Sequence, residues 1–204
     1  MSARRRLSAF RGSAGALRPA VTVPTHGETT HDVTGAGGQL VDEVTAFLQS
    51  ASLDLTPTSS GGGPPNGVVL LPYGRCVAAD RALEAVVTLF GALPIRVRVL
   101  HLADQRHGAS GQVDGDNDEE AAAAVEAAIG KLRGHGITAV GVVRSGVRKA
   151  LLPDLILDDA RSSGAGVIVL GARRRNGLTS AVVGSTSRVV LREATCPVLM
   201  VRAP

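Results

Sequence analysis

Between residues 170 and 190 the chain reads LGARRRNGLTSAVVGSTSRVV. An apolar segment ends at Gly171, a basic loop follows with Arg173, Arg174 and Arg175, and Gly184-Ser185-Thr186-Ser187 then opens a helical pattern. The chemistry these residue types suit is anion capture. Free backbone N–H groups and the dipole at a helix start attract negative charge, and three consecutive hydroxyls can donate to phosphate oxygens. Guanidinium groups from the loop add charge-assisted hydrogen bonds. The same residues also admit a plainer reading, with Ser185 as an N-cap and the arginines as a solvated loop.

Other chemical patterns are missing or incomplete. GxSxG, HExxH and GxxxxGK[ST] are absent, and no GxGxxG follows a strand. His26, His31, His101, His107 and His135 show no metal-ligand spacing and read as surface or loop residues. DGDNDEE at 114–120 has the look of a calcium loop. Glu119, however, stands where the turn glycine belongs, and Val125 replaces the terminal bidentate glutamate. An acidic loop feeding a helix explains it. Cys76 and Cys196 have no CxxC spacing and read as two reduced thiols of a cytosolic protein.

The elements that must position the 170–190 stretch begin at residue 68. Short apolar runs, VVLLP at 68–72, IRVRVLHL at 95–102, ITAVGVV at 137–143, GVIVLG at 166–171 and PVLMV at 197–201, read as strands. Helical patterns lie between them near 76–91, 118–134, 153–163 and 185–194. Four strand–helix–strand units predict an α/β fold, a mostly parallel doubly wound sheet with right-handed crossovers and helices on both faces. The first and fourth strands are apolar throughout, as central strands are. Arg96 and Arg98 alternate with Ile95, Val97 and Val99, which predicts a wet face at the start of the second strand. Asp118, Glu119 and Glu120 suit the positive end of the second helix, each worth roughly 0.3–1 kcal/mol. Gly134 and Gly136 can stop that helix, and Pro153 fits a first helical turn. In such a sheet, ligands sit beyond the carboxyl ends of the strands where the order reverses, which is where the basic loop falls.

Residues 1–65 have a different texture and read as a largely disordered, low-complexity extension before a domain at 66–204. The SSGGGPPNG run at 59–67 is a flexible linker by composition. Leu40, Val41, Val44, Phe47 and Leu48 share one face of a short amphipathic helix near 39–49. The opening MSARRRLSAFRGSAGALR, basic and acid-free, reads as a basic tail or an organelle presequence. With 44% hydrophobic and 20% charged residues among 204, the chain has a globular balance. Four aromatics in all argue against a reader of single-stranded nucleic acid, which stacks bases on rings. The absence of any apolar run near eighteen residues argues against a membrane span. A net charge of +4 is segregated: seven arginines face one glutamate across 161–204, which permits an anionic ligand.

The chain resembles the universal stress proteins. The likeness rests on VVLLPYG at 68–74, VLHLAD at 99–104, GVIVLG at 166–171, CPVLMVR at 196–202, and the long motif from Gly171 to Gly184-Ser185. ATP-binding members carry G-x2-G-x9-G-[ST] after the fourth strand, and here Arg174 takes the place of the second glycine. The resemblance implies a five-stranded parallel sheet of order 3-2-1-4-5, of the Rossmann-like, HUP type, binding an adenine nucleotide. It would place Pro72 and Tyr73 against the adenosine, the Leu102 backbone at the adenine edge, and Gly171 and Arg173 beside ribose and phosphate. Gly184, Ser185, Thr186 and Ser187 would hold the phosphates, with Arg174 gripping them or filling the site. ATP-binding members usually have Asp where this chain has Tyr73, so a carboxylate near the ribose or a magnesium ion is missing and a metal stays open. Gly171 and Gly184 are expected to be bare so that the backbone can approach the ligand, leaving alanine variants folded but weak in binding.

The implied function is a cytoplasmic stress-response module that binds ATP or a related adenine nucleotide without fast turnover. The alternative is a nucleotide-free module that docks protein partners. Neither reading calls for direct nucleic-acid binding or a membrane. The last strand, 197–201, is apolar on both faces and would end the sheet, so a homodimer through that edge is expected.

Overall fold

The computed structural model describes residues 18–23, 29–32, 67–104, 118–172 and 184–202. In chain order the strands are β1 (Arg18–Val23), β2 (Thr29–Asp32), β3 (Gly67–Pro72), β4 (Ile95–Asp104), β5 (Thr138–Val147), β6 (Ala165–Ala172) and β7 (Val198–Arg202). The helices are α1 (Val77–Phe90), α2 (Asp118–Gly134), α3 (Leu152–Ser163) and α4 (Ser185–Glu193). A 3-10 turn at Lys149–Leu151 leads into α3, in keeping with Pro153 inside its first turn.

Each parallel strand lies within a few residues of its expected place because its apolar run is bounded by glycine, proline or polar residues. The helices stop where the chain allows it. Gly164 takes a left-handed conformation, φ 64°, at the end of α3, where glycine carries no Cβ penalty. Helix α2 begins with Asp118, Glu119 and Glu120 and ends with Lys131 and Arg133 in its last turn, matching its dipole at both ends.

Strands β3 to β7 form the parallel part of the sheet in the order β5-β4-β3-β6-β7, which is the 3-2-1-4-5 arrangement. β3 lies between β4 and β6, and its Val69, Leu70 and Leu71 are buried. One apolar cluster joins α1 and α2 to one face of the sheet, with Phe90, Val86, Val97, Val99 and Leu132 among its fully buried members. The other joins α3 and α4 to the opposite face through Ile156, Leu157, Val190, Leu70, Ile168 and Met200. Burying a Leu or Phe side chain in such a cluster is worth roughly 1.5–3 kcal/mol.

One expectation is corrected, by a feature the sequence reading did not include. Among the described residues before 66, β1 and β2 form an antiparallel pair. β7, in turn, does not end the sheet. β1 pairs antiparallel along it, from Arg18 opposite Arg202 to Thr22 opposite Val198, and the full order is β2-β1-β7-β6-β3-β4-β5. The homodimer expected through 197–201 required a bare edge there, and the chain's own hairpin takes it. The helix expected near 39–49 and the linker at 59–66 lie outside the described residues.

Candidate functional site

The site is built at the carboxyl end of the sheet. β3 pairs with β4 on one side and β6 on the other, so the chain leaves β3 in one direction and returns to its other flank later. Such a reversal is where open α/β sheets bind ligands, beyond the carboxyl ends of the strands. Pro72 closes β3, and the next residue, Tyr73, donates its backbone N–H to the Leu100 carbonyl at 2.8 Å. Leu102, half-buried, stands two residues further along β4. Gly171 lies in β6 beside β7, opposite Val201.

Helix α4 follows β6 and feeds β7, which runs parallel to β6. Its N-terminus therefore sits at the same end of the sheet. Gly184 is its N-cap, extended at φ −61° and ψ 159°, and offers no side-chain cap. A Cβ added there would have nothing within 4 Å, and no acidic residue occupies the first turn. Ser185 is exposed while Thr186 and Ser187 are half-buried. Among the described residues the helix start is thus open, polar and without an acid in its first turn, an arrangement suited to phosphate oxygens. Arg173 and Arg174 lie outside the described residues.

Tyr73 is not simply a missing aspartate. Its ring packs against the α1–α2 side of the core, and its hydroxyl donates to Asp80 Oδ1 at 2.7 Å. The turn therefore carries a carboxylate one step removed, from the first turn of α1. Sequence reasoning missed Asp80, although an acid seven residues after Tyr73 in a helix start was a readable signal. Burial, and next the hydrogen bond to Asp80 and its negative charge, push the Tyr73 phenol above the ordinary tyrosine range. Because the folded phenol keeps its proton to higher pH than the unfolded one, its stabilising share is complete below roughly pH 10 and drains as pH rises above that. Tyr73 is the sole tyrosine and the chain has no tryptophan, so phenolate absorbance reads it alone. The absorbance of folded protein should rise only well above pH 10, and Asp80→Asn should bring it down toward the ordinary value. A native titration already near 10 would mean that the hydroxyl is not held.

Gly171 has a packing role in the fold. A Cβ built there runs into the backbone carbonyl of Ala78, in the first turn of α1. The glycine faces the helix, and Ala78 and Ala79 are the small buried residues that let α1 approach. The expectation that an alanine at 171 leaves the domain undisturbed is therefore overturned. Arg75, in the turn after β3, pairs with Glu120 of α2 at 2.6 Å; both are exposed, and such pairs contribute little. Among the described residues no group of three His, Cys, Asp or Glu could hold a metal ion, and both cysteines are free.

Residues 66–202 match the model of the Universal stress protein family. The chain belongs to that family. A hypothetical protein solved as a test of assigning biochemical function from structure shares the fold, with a TM-score of 0.54 and 21% identity, over 67% of this chain and 96% of its own. A universal stress protein from Burkholderia pseudomallei aligns at 0.53 and 20%, covering 71% of this chain and 100% of that one. UspA from Lactobacillus plantarum aligns at 0.52 and 23%, over 67% and 97%. At such identities the likeness is one of fold. No curated protein matches the chain. Among the described residues of this universal stress protein, no helix is long and apolar enough to cross a membrane.

Proposed function

We propose that this universal stress protein binds an adenine nucleotide, ATP or a close relative, and holds it without fast turnover as part of a cytoplasmic stress response. The observation that carries the reading is the open N-terminus of α4, free of side-chain caps and acids, at the point where the strand order reverses. Ser185, Thr186 and Ser187 hold the phosphates through backbone N–H and hydroxyl groups, with Gly184 keeping the approach clear. Arg173 and Arg174 contribute charge from the loop. Pro72 and Tyr73 face the adenosine, and the Leu102 backbone reads the adenine edge. The Tyr73–Asp80 pair supplies polarity where the resemblance places an aspartate.

Calorimetric titration of the full chain with ATP, ADP and AMP tests this, with Tyr73 fluorescence as a second readout. Binding should be saturable, and Gly184→Ala should weaken it about tenfold or more while leaving the melting temperature unchanged, since its Cβ meets only open space. That pattern separates ligand approach from folding. Absence of heat with all three nucleotides would reject the proposal in favour of a nucleotide-free module that docks protein partners.

A further inference from the structure

The two ends of the sheet differ. At one end stands β2, four polar residues, Thr29–Asp32. At the other stands β5, ten residues long, with β4 as its one strand neighbour among the described residues. Alternate residues of β5 turn their N–H and C=O groups toward β4, so the others point away from the sheet. Natural edges are blunted by shortness, by proline or by lysine. β5 is long, and its sequence TAVGVVRSGV holds neither residue. Its register shift against β4, near Leu102 and Asp104, touches only its far end.

Ala139 is buried and a Cβ on Gly141 would strike Val125 and Ile129, so the odd-numbered positions of β5 face α2. Thr138, Val140, Val142 and Arg144 face the α3 side, where Arg144 stands 3.6 Å from Asp159. Four large apolar side chains are exposed among the described residues. Three of them, Val140, Val143 and Leu151, lie on β5 or in the turn after it. Apolar surface and open main chain thus coincide. The charge there has one sign: residues 138–151 hold Arg144, Arg148 and Lys149, all exposed, and no acid. Asp159 does little to offset it, because Arg98 bonds to both its oxygens. Arg144, beyond hydrogen-bond reach of that carboxylate and 45% exposed, can donate to another.

We propose that the outer edge of β5 is a docking site for an extended, acidic segment of a partner protein, which joins the sheet as a further strand. Main-chain hydrogen bonds hold it, and alternate side chains select it. One face of the added strand sets a carboxylate beside Arg144 and β-branched residues beside Val142 and Val140, two and four positions along. Further acids past that carboxylate meet Arg148 and Lys149. The charge decides the occupant. A second copy of β5 would bring the same cations to the edge from both sides, and an uncharged strand would gain nothing from Arg144. A nucleic acid would satisfy the cations, but it has no row of N–H and C=O groups to match β5 and would set phosphates against valines. The docking needs no nucleotide, so it stands apart from the site at the start of α4.

The probe is a fluorescein-labelled peptide of three glutamates joined to alternating threonine and valine, made with the glutamates leading or trailing to allow antiparallel and parallel pairing. Fluorescence anisotropy with the full chain should show saturable binding by at least one form. Arg144→Gln should weaken that binding about fivefold. Arg148→Gln/Lys149→Gln, at exposed positions past the strand, should weaken it as well and gives the answer if Arg144→Gln disturbs the fold through Asp159. Methylating the valine nitrogens in one peptide and the threonine nitrogens in another should abolish binding in just one of the two, because alternate N–H groups face β5. Amide exchange should slow within Thr138–Val147 and stay unchanged across Val198–Arg202. Absence of binding by both forms, equal binding by a glutamate peptide without valine, or full affinity in the charge variants would each overturn the proposal. So would protection that falls outside β5, or a DNA duplex that binds there more tightly than the peptide.

Discussion

Gly171→Ala is expected to cost about 3 kcal/mol or more of stability and to lower the melting temperature by roughly ten degrees. The new Cβ has to occupy space held by the Ala78 carbonyl, and that atom belongs to the first turn of a helix. A flexible side-chain tip could move aside at little cost; a hydrogen-bonded backbone cannot. To make room, α1 must slide away from β6, opening the cluster that holds Leu83, Val86 and Phe90. Gly184→Ala is the matched control. It adds the same methyl group at the same end of the sheet, into open space, at an extended φ that any residue adopts. Thermal melts of the two variants should therefore diverge, with 171 unstable and 184 unchanged. Equal melting temperatures would mean that α1 does not pack on Gly171 as described.

The difference between these two glycines shows what the sequence alone can and cannot reveal. Both stand in one motif, and both read as places where a ligand needs bare backbone. Only the fold says that one of them faces a helix. The clue was present in Val77-Ala78-Ala79, a run of small residues at a helix start, but it becomes meaningful only once α1 is known to cross β6 there. The five parallel strands were legible for a local reason: VVLL, GVIVL and PVLM are apolar runs bounded by breakers. Their order was not in the periodicity and came with the family resemblance. The hairpin escaped altogether. Val21-Thr22-Val23 has strand-forming residues, yet it is short, follows a proline, and pairs with a segment more than 170 residues away. A local reading has no means of weighing such a pairing.

Arg98 is the clearest case of a face misread, and it carries the second large effect. Alternation with Val97 and Val99 placed Arg96 and Arg98 together on a wet face, and Arg96 is indeed exposed. Arg98 is instead largely covered by α3. Its Nε donates to Asp159 Oδ2 at 2.6 Å and a terminal nitrogen to Oδ1 at 2.9 Å, while Arg144 of β5 approaches Oδ1 at 3.6 Å. Asp159 is fully buried. The hydrogen bond to Asp159 raises the Arg98 guanidinium further above its already high range, ahead of the opposing effect of burial. The apolar cluster under α3 also takes in Leu100 of β4, and this fork of two hydrogen bonds adds a polar tie between the helix and that strand.

Removing one partner of a buried pair leaves the other without compensation, at a cost of roughly 3–5 kcal/mol. Asp159→Leu should fall near the lower end of that range, because Arg98 keeps some contact with water. Arg98→Met should cost at least as much, since it strands a carboxylate with no exposure and only a distant Arg144. The double variant Arg98→Met/Asp159→Leu should recover more than half of the loss, because an apolar pair of similar volume fits against Leu157 and Ile156 without charge to desolvate. Urea denaturation of the unaltered protein and the three variants closes the cycle. A double variant as unstable as the sum of the singles would show that the two residues act independently, and the fork would then hold nothing that packing does not.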